Sequence, residues 1–332
     1  MKRRLTAALA GLALSALLVA PATQASAADL VIYTSMKEAL IGPMTKAFME
    51  KHPDIKVDHQ SAGAGKLMAK IAAERQSGTI LADILWTSEV PDFYALKREG
   101  LLEPYVSPNA KDILNPLPDF DGSFTPIRLG TLGIVYNTRF MKKAPEKWSD
   151  LFEKKNSPFG IANPALSGTA FVSVFLLSEQ FGWDFFKDLK KNKAKMGKGS
   201  GQVIDDTAKG DLLACLGVDY QTFSKIDKGA YLGMAYPPEM LVVPSPAAIF
   251  KNSPNLEAAK KFIDFMLTEE CQKIVAENGT LPVHPGVKVP AKYNLPDQTE
   301  AMKRAIPIDY PKLITSKQAT LESFGEIFGK KK

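Results

Sequence analysis

The chain has 332 residues, with 42 Lys and Arg against 36 Asp and Glu, a formal charge of +6. That modest surplus is spread along the sequence without a clustered basic face, which excludes a nucleic-acid reader. The length exceeds one ordinary core, so two domains are expected.

The N-terminus reads as a secretory signal. Lys2, Arg3 and Arg4 precede an apolar run from Leu5 to Ala20, and Ala25-Ser26-Ala27 offers the small-residue cleavage pattern. Gly11, Ser15 and Pro21 break the run, which falls short of the roughly 20 apolar residues a membrane anchor needs. No cysteine lies nearby to carry a lipid. Removing residues 1–27 leaves 39 Lys and Arg against 36 Asp and Glu, a net +3. The expected product is a periplasmic protein beginning near Ala28. Cys215 and Cys271 are its only cysteines. In an oxidising compartment they could pair, or remain two separately buried thiols.

From there the pattern alternates. Leu30–Tyr33 is β-rich, residues 38–51 carry Ile41, Met44, Phe48 and Met49 at helical spacing, and Pro53 stops that helix. Residues 55–58 predict a strand, 65–76 a helix, 82–86 a buried strand, and 90–99 a helix ended by Gly100. This β-α-β-α-β-α order is that of a parallel sheet covered on both faces. A second α/β unit comes next: strands at 132–136 and 160–162, a long helix carrying Phe171, Val174, Phe175 and Leu177, and further strands at 202–204 and 212–218 around a short helix at 206–210. Residues 242–250 contain Pro244 and Pro246, which suit an edge or crossover strand better than a central one. Residues 256–277 form a helical region with Thr268 as a cap between two segments, and another helix lies near 312–328. No flexible linker separates the units, so strands that cross between them are the expected hinge.

The chemistry is expected in the turns that leave the strands. Thr34-Ser35-Met36-Lys37, Ser61-Ala62-Gly63-Ala64-Gly65-Lys66, Thr87-Ser88-Glu89 and Asn163 through Thr169 are all turns bearing hydroxyls or glycine. Each stands at the carboxyl end of a strand and the start of a helix, the edge at which open α/β sheets bind ligands. Helix N-termini there present unpaired N–H groups and partial positive charge, and Ser, Thr and Gly let an anion approach them. A single such turn is equally an ordinary helix cap. The coincidence of four is the signal.

Enzyme motifs are missing. Gly65-Lys66 is followed by Leu67, and position 60 is Gln60, so there is no phosphate loop. Ser200 has Lys198 and Gln202 two residues away and makes no nucleophile elbow. His52, His59 and His284 show no metal-ligand or triad spacing. Asp205-Asp206 has neither nucleophile nor metal cluster beside it. A binding protein without catalysis, cofactor or metal is the expectation.

The stretches LVIYTSMKEA (30–39), ADILWTSE (82–89), GTLGIVYN (130–137), ANPALSGTAF (162–171) and GDLLACLGVDY (210–220) each resemble stations of type 2 periplasmic binding proteins. The resemblance, which continues through residues 234–272, is closest to the branch holding ferric-iron, phosphonate and sugar-phosphate receptors. It implies an α/β fold of two lobes joined by two hinge crossover strands, with lobe 1 at 28–127 plus 246–332 and lobe 2 at 128–245. It further implies a monomer that clamps a small ligand and delivers it to the permease of an ABC importer. Iron members of the branch carry a histidine after the first strand and adjacent tyrosines in the second lobe. Here Met36 and the single Tyr220 stand in those places, too few donors for a hard ferric ion.

By the same resemblance, Thr34, Ser35, Gly65, Ser88, Ser167, Gly168 and Thr169 would hold the oxygens of an organophosphorus anion. Asp205, Asp206 and Asp219, taken to come after strands facing the cleft, would select an ammonium or hydroxyls at its other end. 2-Aminoethylphosphonate is therefore the expected ligand, a hexose phosphate the alternative, and ferric iron the second alternative. Tyr220 could pack on the ligand's carbon chain or fill the lobe interior. Arg128 stands near the first crossing within reach of the anion, but surface salt bridging is the plainer account, and it is not counted in the site.

Overall fold

The computed structural model describes residues 28–118 and 120–329. The expected signal segment lies outside them. The first half of the fold matches the predicted alternation closely: β1 (Ala28–Thr34), α1 (Glu38–Lys51), β2 (Ile55–Ser61), α2 (Ala64–Gln76), β3 (Ile84–Trp86) and α3 (Val90–Arg98). α1 forms because Leu40, Ile41, Met44 and Phe48 recur on one face and are buried together. Phe48 meets Phe262 edge-on with ring centroids 4.9 Å apart. Each such side chain contributes roughly 1.5–3 kcal/mol by leaving water.

A short β4 (Leu102–Glu103) leads into β5 (Thr125–Asn137), which is far longer than the five residues its alternation suggested. The second half comprises β6 (Phe159–Ala162), α4 (Gly168–Phe181), α5 (Trp183–Lys191), β7 (Lys195–Gly197), α6 (Ser200–Lys209), β8 (Ala214–Val218), α7 (Asp219–Asp227) and β9 (Leu232–Ala235). The chain returns along β10 (Leu241–Phe250) and continues through α8 (Leu256–Met266), α9 (Glu269–Glu277), β11 (Leu281–Pro282), α10 (Gln298–Arg304), α11 (Tyr310–Thr315) and α12 (Lys317–Phe328). Thr268 caps α9 as expected, its hydroxyl accepting from the Cys271 amide. Among the described residues no helix is long and apolar enough to cross a membrane.

The sheet runs β2-β1-β3-β10-β5-β8-β6-β7, with β4 on β10 and both β9 and β11 on β5. β1 pairs parallel with β2 and β3, and β6 pairs parallel with β7 and β8. The antiparallel pair β5–β10 lies between these two parallel sets and carries the chain across. Pro244 and Pro246 sit on this interior strand. β3 pairs only with Ala247–Ile249, and the register against β5 shifts between Ser245 and Pro246, so the missing N–H groups fall where the ladder is already interrupted.

One element differs in kind. Residues 202–204, expected as a strand, belong to α6, which buries Val203, Ile204 and Thr207 on one face. The glycines at 199 and 201 hid a helix start there, and Gly210 closes the helix at φ 94°. Asp205 and Asp206 are therefore helical residues and do not come after a strand. The C-terminal α12 packs against α4 and α5, with Phe324 edge-on to Phe186. Cys215 on β8 and Cys271 on α9 are both free and buried.

Candidate functional site

A cleft of about 740 Å³ lies where the carboxyl ends of β1 and β2 face the starts of α4 and α6. On the first half its wall is Ser35-Met36-Lys37, then Ser61 through Ala64, then Ser88. On the second half it is Leu166 through Thr169, Lys198 through Gln202, Asp205, Asp206, Lys209, Tyr220 and Gln221. α2, α4 and α6 all begin at this cleft. Their first-turn amides have no intrahelical acceptor, and neither the Gly63 nor the Gly199 N-cap supplies a side-chain one. Three partial positive ends therefore point at one volume.

Hydroxyls surround the same space. Ser167, Thr169 and Ser200 stand in a triangle with oxygens 3.2–3.3 Å apart. Each can donate to a neighbour or turn toward a guest. Opposite them, the Ser61 hydroxyl donates to the Met36 carbonyl at 2.6 Å, and Ser88 shares a 2.7 Å bond with Ser245 on β10. Five cations join the lining: Lys37, Lys66, Arg128, Lys198 and Lys209. Partial desolvation, then the neighbouring Lys66, hold the Lys37 amine below its ordinary value. On the acidic side, Asp205 is taken up by Lys225 of α7, whereas Asp206 lines the cleft without an ion pair among the described residues.

The structure thus brings Ser35, Ser88, Ser167, Gly168, Thr169, Asp205, Asp206 and Tyr220 to one cleft and leaves three expected residues out of its lining. Thr34 is fully buried, and its hydroxyl donates to Trp86 O (2.9 Å) while accepting the Met36 amide (3.0 Å), so it shapes the turn. Gly65 packs against the opposite half, where a Cβ would collide with the Ala165 carbonyl oxygen. Asp219 is 0% exposed and wholly occupied. Its Oδ1 accepts from the Tyr220 amide and Arg128, and its Oδ2 from the Thr131 amide, the Thr131 hydroxyl and Thr280. Burial pushes that carboxyl up, and Arg128 and then the donated hydrogen bonds pull it back.

Tyr220 is buried beneath the cleft with its hydroxyl accepting the Lys37 amide at 2.9 Å, a hydrogen bond between the two halves. Sequence reasoning weighed Ser200 only as a nucleophile and, expecting a strand at 202–204, missed the helix start that brings it to the cleft. Lys37 and Lys66 stood in the turns it named but were not counted as ligand residues, and Arg128 was left out because the strand that carries it, β5, is longer than its apolar middle. Among the described residues no group of three or more His, Cys, Asp or Glu is placed to hold a metal ion.

The sequence model of the family described as Bacterial extracellular solute-binding protein matches residues 33–273, well over half of the chain. An uncharacterized protein of Haemophilus influenzae is 30% identical over 268 residues, covering 75% of this chain and 76% of its own. The "Putative 2-aminoethylphosphonate-binding periplasmic protein" of Salmonella typhimurium is 24% identical over 239 residues, 68% of this chain and 69% of its own. The periplasmic binding protein AfuA of Actinobacillus pleuropneumoniae, solved with exogenous fructose-6-phosphate bound, superposes with a TM-score of 0.75 at 24% identity, over 91% of this chain and 98% of that one. Iron-bound HitA of Pseudomonas aeruginosa gives 0.74 at 22% identity, over 90% and 99%. These likenesses show the two-lobe α/β fold with two crossing strands.

Proposed function

Since this chain belongs to the bacterial extracellular solute-binding protein family, we propose that it captures a small organophosphorus anion in the periplasm and presents it to an ABC importer. The carrying observation is the convergence of the α2, α4 and α6 N-termini, the Ser167–Thr169–Ser200 triangle and five cationic side chains on one cleft. Amide and hydroxyl donors suit the several acceptor oxygens of a phosphoryl group, and each hydrogen bond to a charged oxygen contributes roughly 1.5–3 kcal/mol. In this reading residues 1–27 are cleaved, and the mature monomer closes lobe 1 (28–127 plus 246–332) on lobe 2 (128–245).

2-Aminoethylphosphonate leads among the ligands. Asp206 is a carboxylate on the lining with no ion pair among the described residues, where an ammonium could settle. The Salmonella relative's name supports the same choice. A second reading, a hexose phosphate, is favoured by size, because a short aminophosphonate fills only a fraction of about 740 Å³. Calorimetry on the purified mature chain with 2-aminoethylphosphonate, glucose 6-phosphate and inorganic phosphate tests both. One organic ligand bound per chain, without turnover, is expected. No heat from any of the three refutes the organophosphorus reading.

A further inference from the structure

Arg128 is the largest cation in the fold's interior, at 1% exposure, and it lies on β5 with its side chain reaching the cleft. A guanidinium carries five N–H donors in a planar fork, and an interior one needs most of them met. Here Nη1 donates to Thr280 Oγ1 at 2.7 Å and reaches Asp219 Oδ1 at a long 3.3 Å. Nε is buried with no partner, and no bond from Nη2 exists among the described residues. The guanidinium carbon lies 5.1 Å from the Tyr220 ring centre, so the plane is flanked on that side. Gly130 leaves room for it: a Cβ there would stand 2.7 Å from Nη1 and 3.0 Å from the guanidinium carbon.

We propose that Arg128 is a ligand-binding residue whose unpaired edge, Nε and Nη2, takes two oxygens of the ligand's anionic group. Asp219 and Thr280 then act as positioning residues that hold the opposite edge. This deepens the organophosphorus reading and rests on it. The Nε–Nη2 edge matches paired oxygens, which a lysine ammonium cannot do. Asp219, with all its acceptor positions engaged by protein donors, sets the fork's direction and supplies its counter-charge. A fork fixed before the ligand arrives spends little ordering entropy on binding.

The test compares the wild type with Arg128→Lys and Gly130→Ala by calorimetry, using whichever of 2-aminoethylphosphonate and glucose 6-phosphate the wild type binds. Arg128→Lys keeps the charge and loses the fork, and affinity should fall about 10- to 100-fold. Gly130→Ala touches no ligand but crowds the guanidinium, and it should also weaken binding. Arg128→Lys binding within threefold of the wild type overturns the proposal. A direct readout needs no variant: in 15N-labelled wild type the Arg128 Nε–H resonance should shift in step with ligand occupancy, and an unmoved resonance at saturation overturns the assignment. If the wild type binds no organophosphorus compound, the organophosphorus reading itself fails, an outcome distinct from an affinity that ignores Arg128.

Discussion

Gly65→Ala separates closure of the cleft from stability of the fold. Gly65 stands in the first turn of α2, and an added Cβ there would fall inside contact distance of the Ala165 carbonyl oxygen across the cleft. That oxygen is backbone in the turn before α4 and cannot rotate away as a side-chain tip would. Forcing extra atoms into a packed contact costs about 1–3 kcal/mol. At about 1.4 kcal/mol per tenfold, this weakens ligand binding by roughly 5- to 150-fold if binding requires the halves to meet as they do here. With the two halves apart the clash would be absent, and Ala is the better helix former by up to about 1 kcal/mol. Calorimetry should therefore show reduced affinity while the apo melting temperature holds steady or rises. Wild-type affinity in Gly65→Ala would refute the argument. So would an apo melting temperature that drops in proportion to the affinity, since the substitution would then be damaging the fold at large.

Three further outcomes rest on particular groups. Glu89 sits buried beside Asp92 with Lys317 as their shared cation, and burial, then the Asp92 charge, push its carboxyl up to about 7. A raised carboxyl means the native state holds the extra proton, so this group's contribution to stability is fully present below about 4.5 and is lost as pH rises through about 7, on the order of 3 kcal/mol at roughly 1.4 per pK unit. Thermal melts from pH 4.5 to 8 should fall by several degrees in the wild type and flatten in Glu89→Gln; identical profiles would count against this. Burial drives the Cys215 thiol to about 12 and Cys271 well above its ordinary value, so Ellman's reagent should find no native thiol and two after denaturation. Asp206→Asn should weaken 2-aminoethylphosphonate about tenfold or more while changing glucose 6-phosphate little, and equal losses for both would remove Asp206 as the ammonium partner.

Much of the fold was legible because its first half obeys simple rules. The residue 38–51 helix was read to its ends, since Ile41, Met44 and Phe48 mark one face and the chain turns before Pro53. Thr268 was legible as a cap for the same local reason. Where tertiary contacts decide, sequence reasoning fell short. β5 is buried on both faces, so residues beyond its apolar middle gave no alternation, and Arg128 looked like surface when it is interior. At α6 the glycines at 199 and 201 masked a helix start and residues 202–204 were expected as a strand, although the Gly199 N-cap is what leaves first-turn amides without a side-chain acceptor. The acidic residues show this most clearly. Asp205, Asp206 and Asp219 are alike in sequence, yet one is tied to Lys225, one faces the cleft without an ion pair among the described residues, and one is the buried counter-ion of Arg128.

That division of labour bears on how the cleft can hold an anion at all. Interior charges are tolerated only when paired, and Arg128 brings its own carboxylate to the floor of the site. The remaining lining cations are lysines near solvent, whose attraction is long-ranged and screened by salt. For the proposed anion, steering would therefore fall to Lys37, Lys66, Lys198 and Lys209, and geometric fit to amides, hydroxyls and the fixed guanidinium. Because those fixed donors come from both halves, no single half offers a complete shell. Tyr220 joins the halves at Lys37, so an anion of the proposed kind, by completing the shell, would also favour the arrangement in which that bond forms.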